Sequence, residues 1–310
     1  MDDPLDDTCR LPRGAEGDRL VLLPNHAMRA RRCSRAVAAL WVWEVLAGVA
    51  TAWPVVAVVR SVYGSHPHAD AILWEPGGLA LLDLLVRSLP LSGALLAHLA
   101  VVAIFVAFIG VLLASALFVC IGFGDPDGGS PGLRRALLAS LPAFGPSAAI
   151  FATALVFEAS LAAASLTLAG LAATGFERSL GDVAADGVAL SLVGVCAAAA
   201  AVAGVLQDVA RAAIVRTGTG VREGVRTALR ALSTSLIWSW GWRAVASVVP
   251  IGFGALLAER LGGRGGFSLT LLFAVHQAVI LARTALRASW LARAMRAVDA
   301  VSRPLHTHAR

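Results

Sequence analysis

Charged side chains that interrupt long apolar stretches are the first candidates for chemistry in this sequence. Three are acidic and three are basic: Glu44, Glu158, Asp208, Arg211, Arg243 and Arg283. Hydrocarbon makes a charge expensive, so such residues pair with one another or line a polar pathway. At a helical rise of about 1.5 Å per residue, four of them lie roughly 10–13 Å from the same end of their apolar segments and are predicted to form one layer with Arg211: Glu44, Asp208, Arg243 and Arg283. Arg211 follows Asp208 by one turn, so this pair is predicted to interact.

The predicted charged layer has two interpretations. In the first, the five charges neutralise one another and fix the packing of helices. In the second, they line a cavity for an anionic substrate or a lipid head group. Paired charges near a membrane interface often serve structure, and a snorkelling arginine lowers their cost, so we favour the packing role.

Glu158 stands apart, because it lies near the middle of its apolar segment with no arginine at the same depth. His98 and His276 lie in the opposite halves of two other segments, roughly 10–12 Å from their ends. A Glu–His–His group would shuttle protons, since histidine titrates near neutral pH. The alternative, which we favour, is that Glu158 is protonated and hydrogen-bonds a backbone carbonyl or a serine.

Motifs for metal, cofactor or nucleophile chemistry are weak. His66, His68 and Asp70 form an HxHxD pattern whose imidazoles would share a face in an extended segment, but Pro67 intervenes and no further ligands cluster nearby. The sequence has no P-loop, zincin helix, nucleophile elbow or Rossmann glycine fingerprint. We therefore expect no metal site, no cofactor and no enzymatic activity.

The cysteines do not suggest a framework of disulfides. They are Cys9, Cys33, Cys120 and Cys196, and no two are close in sequence. A zinc site or a disulfide-stapled domain usually shows closely spaced cysteines. The sequence therefore predicts neither.

The elements that position these residues are six apolar helices. Hydrophobic residues make up 58% of the 310-residue chain and charged residues only 15%, against about 25% charged in ordinary soluble domains. Segments of about 20 apolar residues are long enough to cross a bilayer as helices. Six such segments predict an all-α integral membrane protein, with spans at about 37–60, 91–121, 143–173, 187–214, 235–257 and 268–292.

Arginine placement predicts the orientation of these spans. All 26 basic residues are arginine, and 18 of them fall on the side that holds both termini, against five on the other side. This asymmetry predicts cytoplasmic N- and C-termini by the positive-inside rule. The arginines adjoin apolar spans, so we expect them to meet anionic lipid head groups and not nucleic acid.

Short basic segments precede two of the spans. Gly132–Leu141 aligns with Gly220–Leu229, and Arg29–Leu40 is a more degenerate copy. In the second copy, Arg222, Arg226 and Arg230 form a stripe opposite an apolar face. This pattern predicts short amphipathic helices on the cytoplasmic face, each followed by a helical hairpin.

The alternation of spans with basic helices, at Gly132–Leu141 and Gly218–Leu232, resembles that of several bacterial multi-span proteins. One of these is the membrane domain attached to some glycerophosphodiester phosphodiesterases. The loop Trp74-Glu-Pro-Gly-Gly78 also resembles one in other bacterial membrane proteins. The resemblance implies the fold and a membrane location. It carries no catalytic residues.

The resulting prediction is a cytoplasmic tail over residues 1–25, disordered or loosely packed, a six-helix domain over 26–300 and a second cytoplasmic tail over 301–310. We predict a multi-pass protein of the bacterial inner membrane that acts as a non-enzymatic scaffold or accessory subunit. Its partners would be anionic lipid head groups and a protein at the cytoplasmic face. The alternative is a small-molecule or lipid transporter or permease component that uses the charged layer.

Overall fold

A computed structural model describes residues 20–64, 86, 92–127, 129–261 and 267–302. Six of its helices are long and apolar enough to cross a membrane, which confirms the all-α membrane class and the six predicted spans. The described ranges contain seven α-helices in all: α1 (Ser34–Tyr63), α2 (Ser92–Gly122), α3 (Leu133–Leu180), α4 (Asp182–Thr217), α5 (Val221–Ala231), α6 (Thr234–Leu261) and α7 (Phe267–Ser302).

The helices extend beyond the apolar segments that predict them. The third helix begins at Leu133, whereas its span was predicted from about 143. The basic segment Gly132–Leu141 is therefore not a separate surface helix, because most of it forms the first turns of α3. Pro142 and Pro146 lie inside this helix, where each removes only one backbone hydrogen bond and does not end it.

Helix α5 is a separate short amphipathic helix, as predicted. Gly218 ends α4 in the left-handed conformation, with φ of 67°, and its N–H donates to the carbonyl of Ile214 at 2.9 Å. Gly220 then precedes α5 in an extended conformation. Two glycines within three residues thus end one helix before the next begins. The sequence around Pro142 contains no such pair, and the helix there is continuous. The Arg29–Leu40 segment differs again, since a 3₁₀ turn over Ala30–Cys33 leads directly into α1.

The chain divides into two compact units. Unit 1 consists of Met1–Cys33, Ser115–Trp242 and Ser289–Arg310, and unit 2 of Ser34–Ala114 and Arg243–Ala288. Unit 2 therefore holds α1 and parts of α2, α6 and α7. Within unit 2, the rings of Trp43 and Phe105 meet edge to face with centroids 6.2 Å apart. Many other apolar side chains of this unit are exposed, as expected of surfaces that face lipid.

Unit 1 contains the best-packed part of the described chain. Its core includes the buried side chains of Leu117, Phe118, Ile121, Val205, Val209, Ile214, Leu291 and Met295. They come from three helices, α2, α4 and α7. Their burial is the hydrophobic contribution that holds this end of the protein together.

An N-terminal segment (residues 20–33) packs within unit 1. Its strand β1 (Val21–Leu22) pairs antiparallel with β2 (Phe123–Gly124), and the Leu23 N–H donates to the carbonyl of Gly122 at 3.0 Å. Val21, Leu22 and Leu23, which the sequence assigned to the tail, are therefore hydrogen-bonded to the chain at the end of α2. The last carbonyls of α2 have no hydrogen-bond partner within the helix. Their need for N–H donors explains why the N-terminal segment packs here.

Several predictions concern residues outside the described ranges. They include most of the two predicted tails, the HxHxD residues His66, His68 and Asp70, and the loop of Trp74–Gly78. The cytoplasmic orientation of both termini also stays a prediction.

Candidate functional site

A buried ion pair lies in unit 1 where four segments of chain meet. Arg216, in the last turn of α4, donates from Nε and Nη2 to Oδ1 of Asp299 in α7, at 3.0 and 2.6 Å. Its Nη1 donates to the carbonyl of Gly122 at 2.7 Å, and its Nη2 also to that of Leu23 at 2.9 Å. One guanidinium thus connects α4 to α7, to the end of α2 and to the N-terminal segment.

The helix ends explain why an arginine occupies this position. The last carbonyls of a helix have no partner within it and carry partial negative charge. Arg216 satisfies such a carbonyl at the end of α2 while lying at the negative end of α4. The pair is a structural clasp, and we name Arg216 and Asp299 the clasp pair.

Further polar contacts hold the same end of unit 1. Arg296, one turn before Asp299 on α7, donates from Nη1 to the carbonyl of Met28 at 2.7 Å. Arg135, in the first turn of α3, forms an ion pair at 2.5 Å with Asp125 in the connection between α2 and α3. The N-terminal segment and this turn are therefore both fixed by arginines.

Asp208 and Arg211, the pair predicted from sequence, both lie on α4 in unit 1. The Asp208 carboxylate accepts a hydrogen bond from the Trp290 indole Nε1–H at 2.8 Å. The guanidinium of Arg211 lies over the ring of Phe118, with Cζ 6.0 Å from its centroid, and the residue is only 1% exposed. The direct Asp208–Arg211 interaction stays a prediction.

Glu158 also lies in unit 1, beside α4. A Cβ atom at Gly204 would meet its Oε1 at 3.7 Å and Cζ2 of Trp240 at 4.0 Å. The absence of a side chain at Gly204 therefore lets the carboxyl group approach the helix. Asp208 lies one turn from Gly204 on the same helix. The structure thus places Glu158 beside the part of α4 that carries Asp208, although the sequence assigned the two to separate groups.

The other predicted site residues lie in unit 2. There the Thr284 hydroxyl donates to Oε2 of Glu44 at 2.8 Å. Arg243 is half-buried, whereas the remaining three, Arg283, His98 and His276, are exposed. The five-charge layer and the Glu–His–His group both draw residues from the two units, so both stay predictions.

Helix α5 forms a basic surface on unit 1. Gly224, Ala228 and Ala231 are buried, and a Cβ at Gly224 would lie 2.7 Å from Cγ1 of Ile214. The helix therefore packs closely on the end of α4 through its small residues. Its arginines are exposed on the other side: Arg222, Arg226 and Arg230. Apart from an Arg226–Glu223 pair at 3.9 Å, the structure gives this face no ion pair among the described residues.

Sequence reasoning missed two features of unit 1. The clasp pair was not singled out, since Arg216 entered only the count of arginines outside the spans. Cys33 and Cys120 are both buried, and their thiols donate to the carbonyls of Arg29 and Pro131 at 4.0 and 3.9 Å. No spacing pattern would have revealed either feature, because both depend on tertiary packing.

Comparison with protein-family models, curated proteins and solved structures finds no match to this chain. The fold itself defines the class: an all-helical protein with six candidate membrane spans. Within the described residues, no group of three or more His, Cys, Asp or Glu side chains is arranged to hold a metal ion.

Proposed function

We propose that this chain is a non-enzymatic scaffold or accessory protein of the bacterial inner membrane, which gathers anionic lipid head groups around α5. The observation that carries the proposal is the close packing of the basic helix α5 on the end of α4. Its small residues fix it against Ile214 of α4, and its three arginines face outward.

The composition of the exposed face of α5 fits a membrane surface. Val221 and Leu229 are exposed alongside the arginines. A helix that lies in the interface uses such residues to enter the boundary between head groups and acyl chains.

Two tryptophans near α5 support the same placement. Trp238 and Trp242 are one turn apart on α6, in unit 1, and are 76% and 66% exposed. Exposed tryptophan is typical of the region between head groups and hydrocarbon. The arginine asymmetry of the sequence supports the cytoplasmic leaflet, whose lipids are anionic.

The test is the lipid retained by the purified protein, measured by native mass spectrometry with equal amounts of phosphatidylglycerol and phosphatidylcholine. Each arginine near an anionic surface contributes about 1 kcal/mol. The double variant Arg222→Gln/Arg230→Gln should therefore lose roughly 30-fold of the preference for phosphatidylglycerol. Arg60→Gln/Arg260→Gln, which removes two exposed arginines elsewhere, is the matched control.

An unchanged lipid preference in the α5 variant would contradict the proposal. A protein that co-purifies with the wild type and is lost only from the α5 variant would make a protein the partner of this surface. A reporter fused after Ser302 tests the orientation, since a cytoplasmic C-terminus should give fluorescence with a green fluorescent protein fusion and no activity with an alkaline phosphatase fusion.

A second candidate function, a transporter or permease component, is favoured by the packing of Glu158 beside Gly204 of α4, one turn from Asp208. Ionisable residues within membrane segments are typical of proton and ion pathways. In proteoliposomes with an imposed potential, proton flux that Glu158→Gln abolishes and Glu223→Gln leaves intact would establish this function. Equal flux in all three proteins and in empty vesicles would exclude proton transport.

A further inference from the structure

Two arginines of α7 contact two other segments of unit 1. Arg296 donates from Nη1 to the carbonyl of Met28, in the N-terminal segment, at 2.7 Å. Arg293 lies one turn earlier on the same helix, so the two side chains are neighbours. Its Nη2 donates to the carbonyl of Ser235, in the first turn of α6, at 3.5 Å. The last turns of α7 therefore lie between the N-terminal segment and the start of α6.

Arg29 brings a third guanidinium group to the same place. It follows Met28 directly, so its backbone begins at the peptide group to which Arg296 is hydrogen-bonded. Met28 is fully buried, which fixes that peptide group in unit 1, whereas the side chain of Arg29 is exposed. We name Arg29, Arg293 and Arg296 the arginine triad.

The positive charge of the arginine triad is not balanced by acidic side chains. Among the residues that the structure describes, no carboxylate forms an ion pair with any of the three. Asp299, one turn beyond Arg296, accepts its hydrogen bonds from Arg216. Like charges one turn apart on a helix repel each other, so the arginine triad favours an anion from outside the chain.

The donors of the arginine triad match a phosphate group. Arg293 and Arg296 each use one of five N–H groups for a backbone carbonyl, which orients the rest of the guanidinium. A guanidinium presents its N–H groups as a planar fork that binds two oxygens of a phosphate. A phosphate monoester carries nearly two negative charges and three acceptor oxygens, so three guanidinium groups suit it better than a diester with one charge.

We propose that the arginine triad binds a phosphate monoester, which bridges α7 and the N-terminal segment. The phosphate belongs to a lipid head group, as in phosphatidic acid, or to a small soluble molecule. The site goes beyond the proposed role of α5 and does not depend on it, because it uses other residues on other segments of unit 1.

The experiment measures the binding of two probes to the delipidated full chain in detergent by native mass spectrometry. One probe is short-chain phosphatidic acid, and the other is glycerol 3-phosphate, the same head group without acyl chains. We expect one bound molecule per chain. Binding of phosphatidic acid alone would support a lipid as the source of the phosphate, and equal binding of both probes would support a soluble monoester.

Arg29→Gln is the variant that tests the site without disturbing the fold. Among the described residues, the side chain of Arg29 forms no hydrogen bond or ion pair, so its loss should leave the thermal midpoint unchanged. Loss of one charge-assisted contact should weaken binding roughly tenfold or more. Arg293→Lys keeps the charge and loses the planar fork, so it should also weaken binding. The α5 variant Arg222→Gln/Arg230→Gln is the matched control and should bind both probes as the wild type does.

Three results would overturn the proposal. They are failure of the wild type to bind either probe, equal binding by the wild type and Arg29→Gln, and an equal loss of binding in the α5 variant. The preference for phosphatidylglycerol is a separate measurement, and Arg29→Gln should retain it. Failure of this site and failure of the role proposed for α5 are therefore distinguishable.

Discussion

Arg216 and Asp299 form an ion pair at 2.6 Å between side chains that are only 6% and 5% exposed. Burial of both charges is costly, and it is offset only when geometry and additional hydrogen bonds are favourable. Here the carbonyls of Gly122 and Leu23 accept the remaining bonds of the guanidinium. The clasp pair therefore links four segments in unit 1. Removal of one charge would leave the other buried without its counter-ion.

Replacement of Asp299 by asparagine should destabilise unit 1 strongly. The variant keeps the size of the side chain but leaves the Arg216 charge buried without its counter-ion. Removing one partner of a buried pair costs about 3–5 kcal/mol of unfolding free energy. Thermal unfolding of the detergent-solubilised protein should show a markedly lower midpoint.

Glu223→Gln provides the control for this prediction. It removes an ion pair with Arg226 in which the two side chains are 48% and 64% exposed and the distance is 3.9 Å. Exposed pairs contribute little, so the effect should stay within about 0.5 kcal/mol. Equal losses in the two variants would show that burial is not what makes the clasp pair important.

Gly224→Ala should loosen the attachment of α5. The added Cβ would lie 2.7 Å from Cγ1 and 3.2 Å from Cδ1 of Ile214, closer than packed carbon atoms allow. Overpacking of this kind costs about 1–3 kcal/mol. The expected result is a lower thermal midpoint and faster proteolysis in the turn between α4 and α5.

Gly220→Ala is the matched control, because a Cβ at Gly220 would meet no atom within 4 Å. Its backbone φ of −78° is also one that alanine adopts freely. Reduction of Ile214 to alanine, which removes both Cγ1 and Cδ1, should recover part of the loss caused by Gly224→Ala. No recovery in this double-mutant cycle would indicate that the clash lies elsewhere.

The sequence predicts the spans well because hydropathy over a bilayer-length window is a local property. It also predicts α5, where arginines recur along one face and two glycines precede the helix. It fails at Gly132–Leu141, where a similar pattern continues into α3 through Pro142, Gly145 and Pro146. Amphipathic pattern alone therefore does not set a helix boundary.

The polar contacts were harder to predict because they depend on tertiary packing. Asp208 was expected beside Arg211 from helical spacing, yet the partner that the structure gives it is Trp290, 82 positions away on α7. Glu158 was considered isolated because no arginine shares its depth, whereas the structure packs it beside Gly204 on α4, one turn from Asp208. Depth in a span does not specify which faces of two helices meet.

Trp290→Phe should show the importance of the Asp208 contact. Phenylalanine retains much of the buried ring but lacks the indole N–H that donates to Asp208 at 2.8 Å. Loss of a hydrogen bond to a charged group in a partly buried position costs about 1–3 kcal/mol. Trp238→Phe, at a residue that is 76% exposed, should change the thermal midpoint little.

A double-mutant cycle identifies Asp208 as the relevant partner. In the Asp208→Ala background, Trp290→Phe should cost much less than in the wild type, because the acceptor is already absent. If the two losses simply add, the indole contributes by packing and not through this hydrogen bond.

Gly218 should tolerate asparagine better than valine, because its φ of 67° lies in the left-handed region. A β-branched side chain is strained there, whereas asparagine is the usual replacement for glycine at such a helix end. We expect Gly218→Val to lower the unfolding free energy by about 2 kcal/mol and Gly218→Asn by less than half of that. Crowding is not the cause, since a Cβ at this position would meet nothing within 4 Å.

Comparison of the two variants tests the backbone conformation of Gly218. Equal thermal midpoints for the two variants would mean that the turn between α4 and α5 adopts another conformation. If valine alone is destabilising, the direction in which α5 leaves α4 depends on this glycine, and Gly218→Val should also weaken the lipid preference attributed to Arg222 and Arg230.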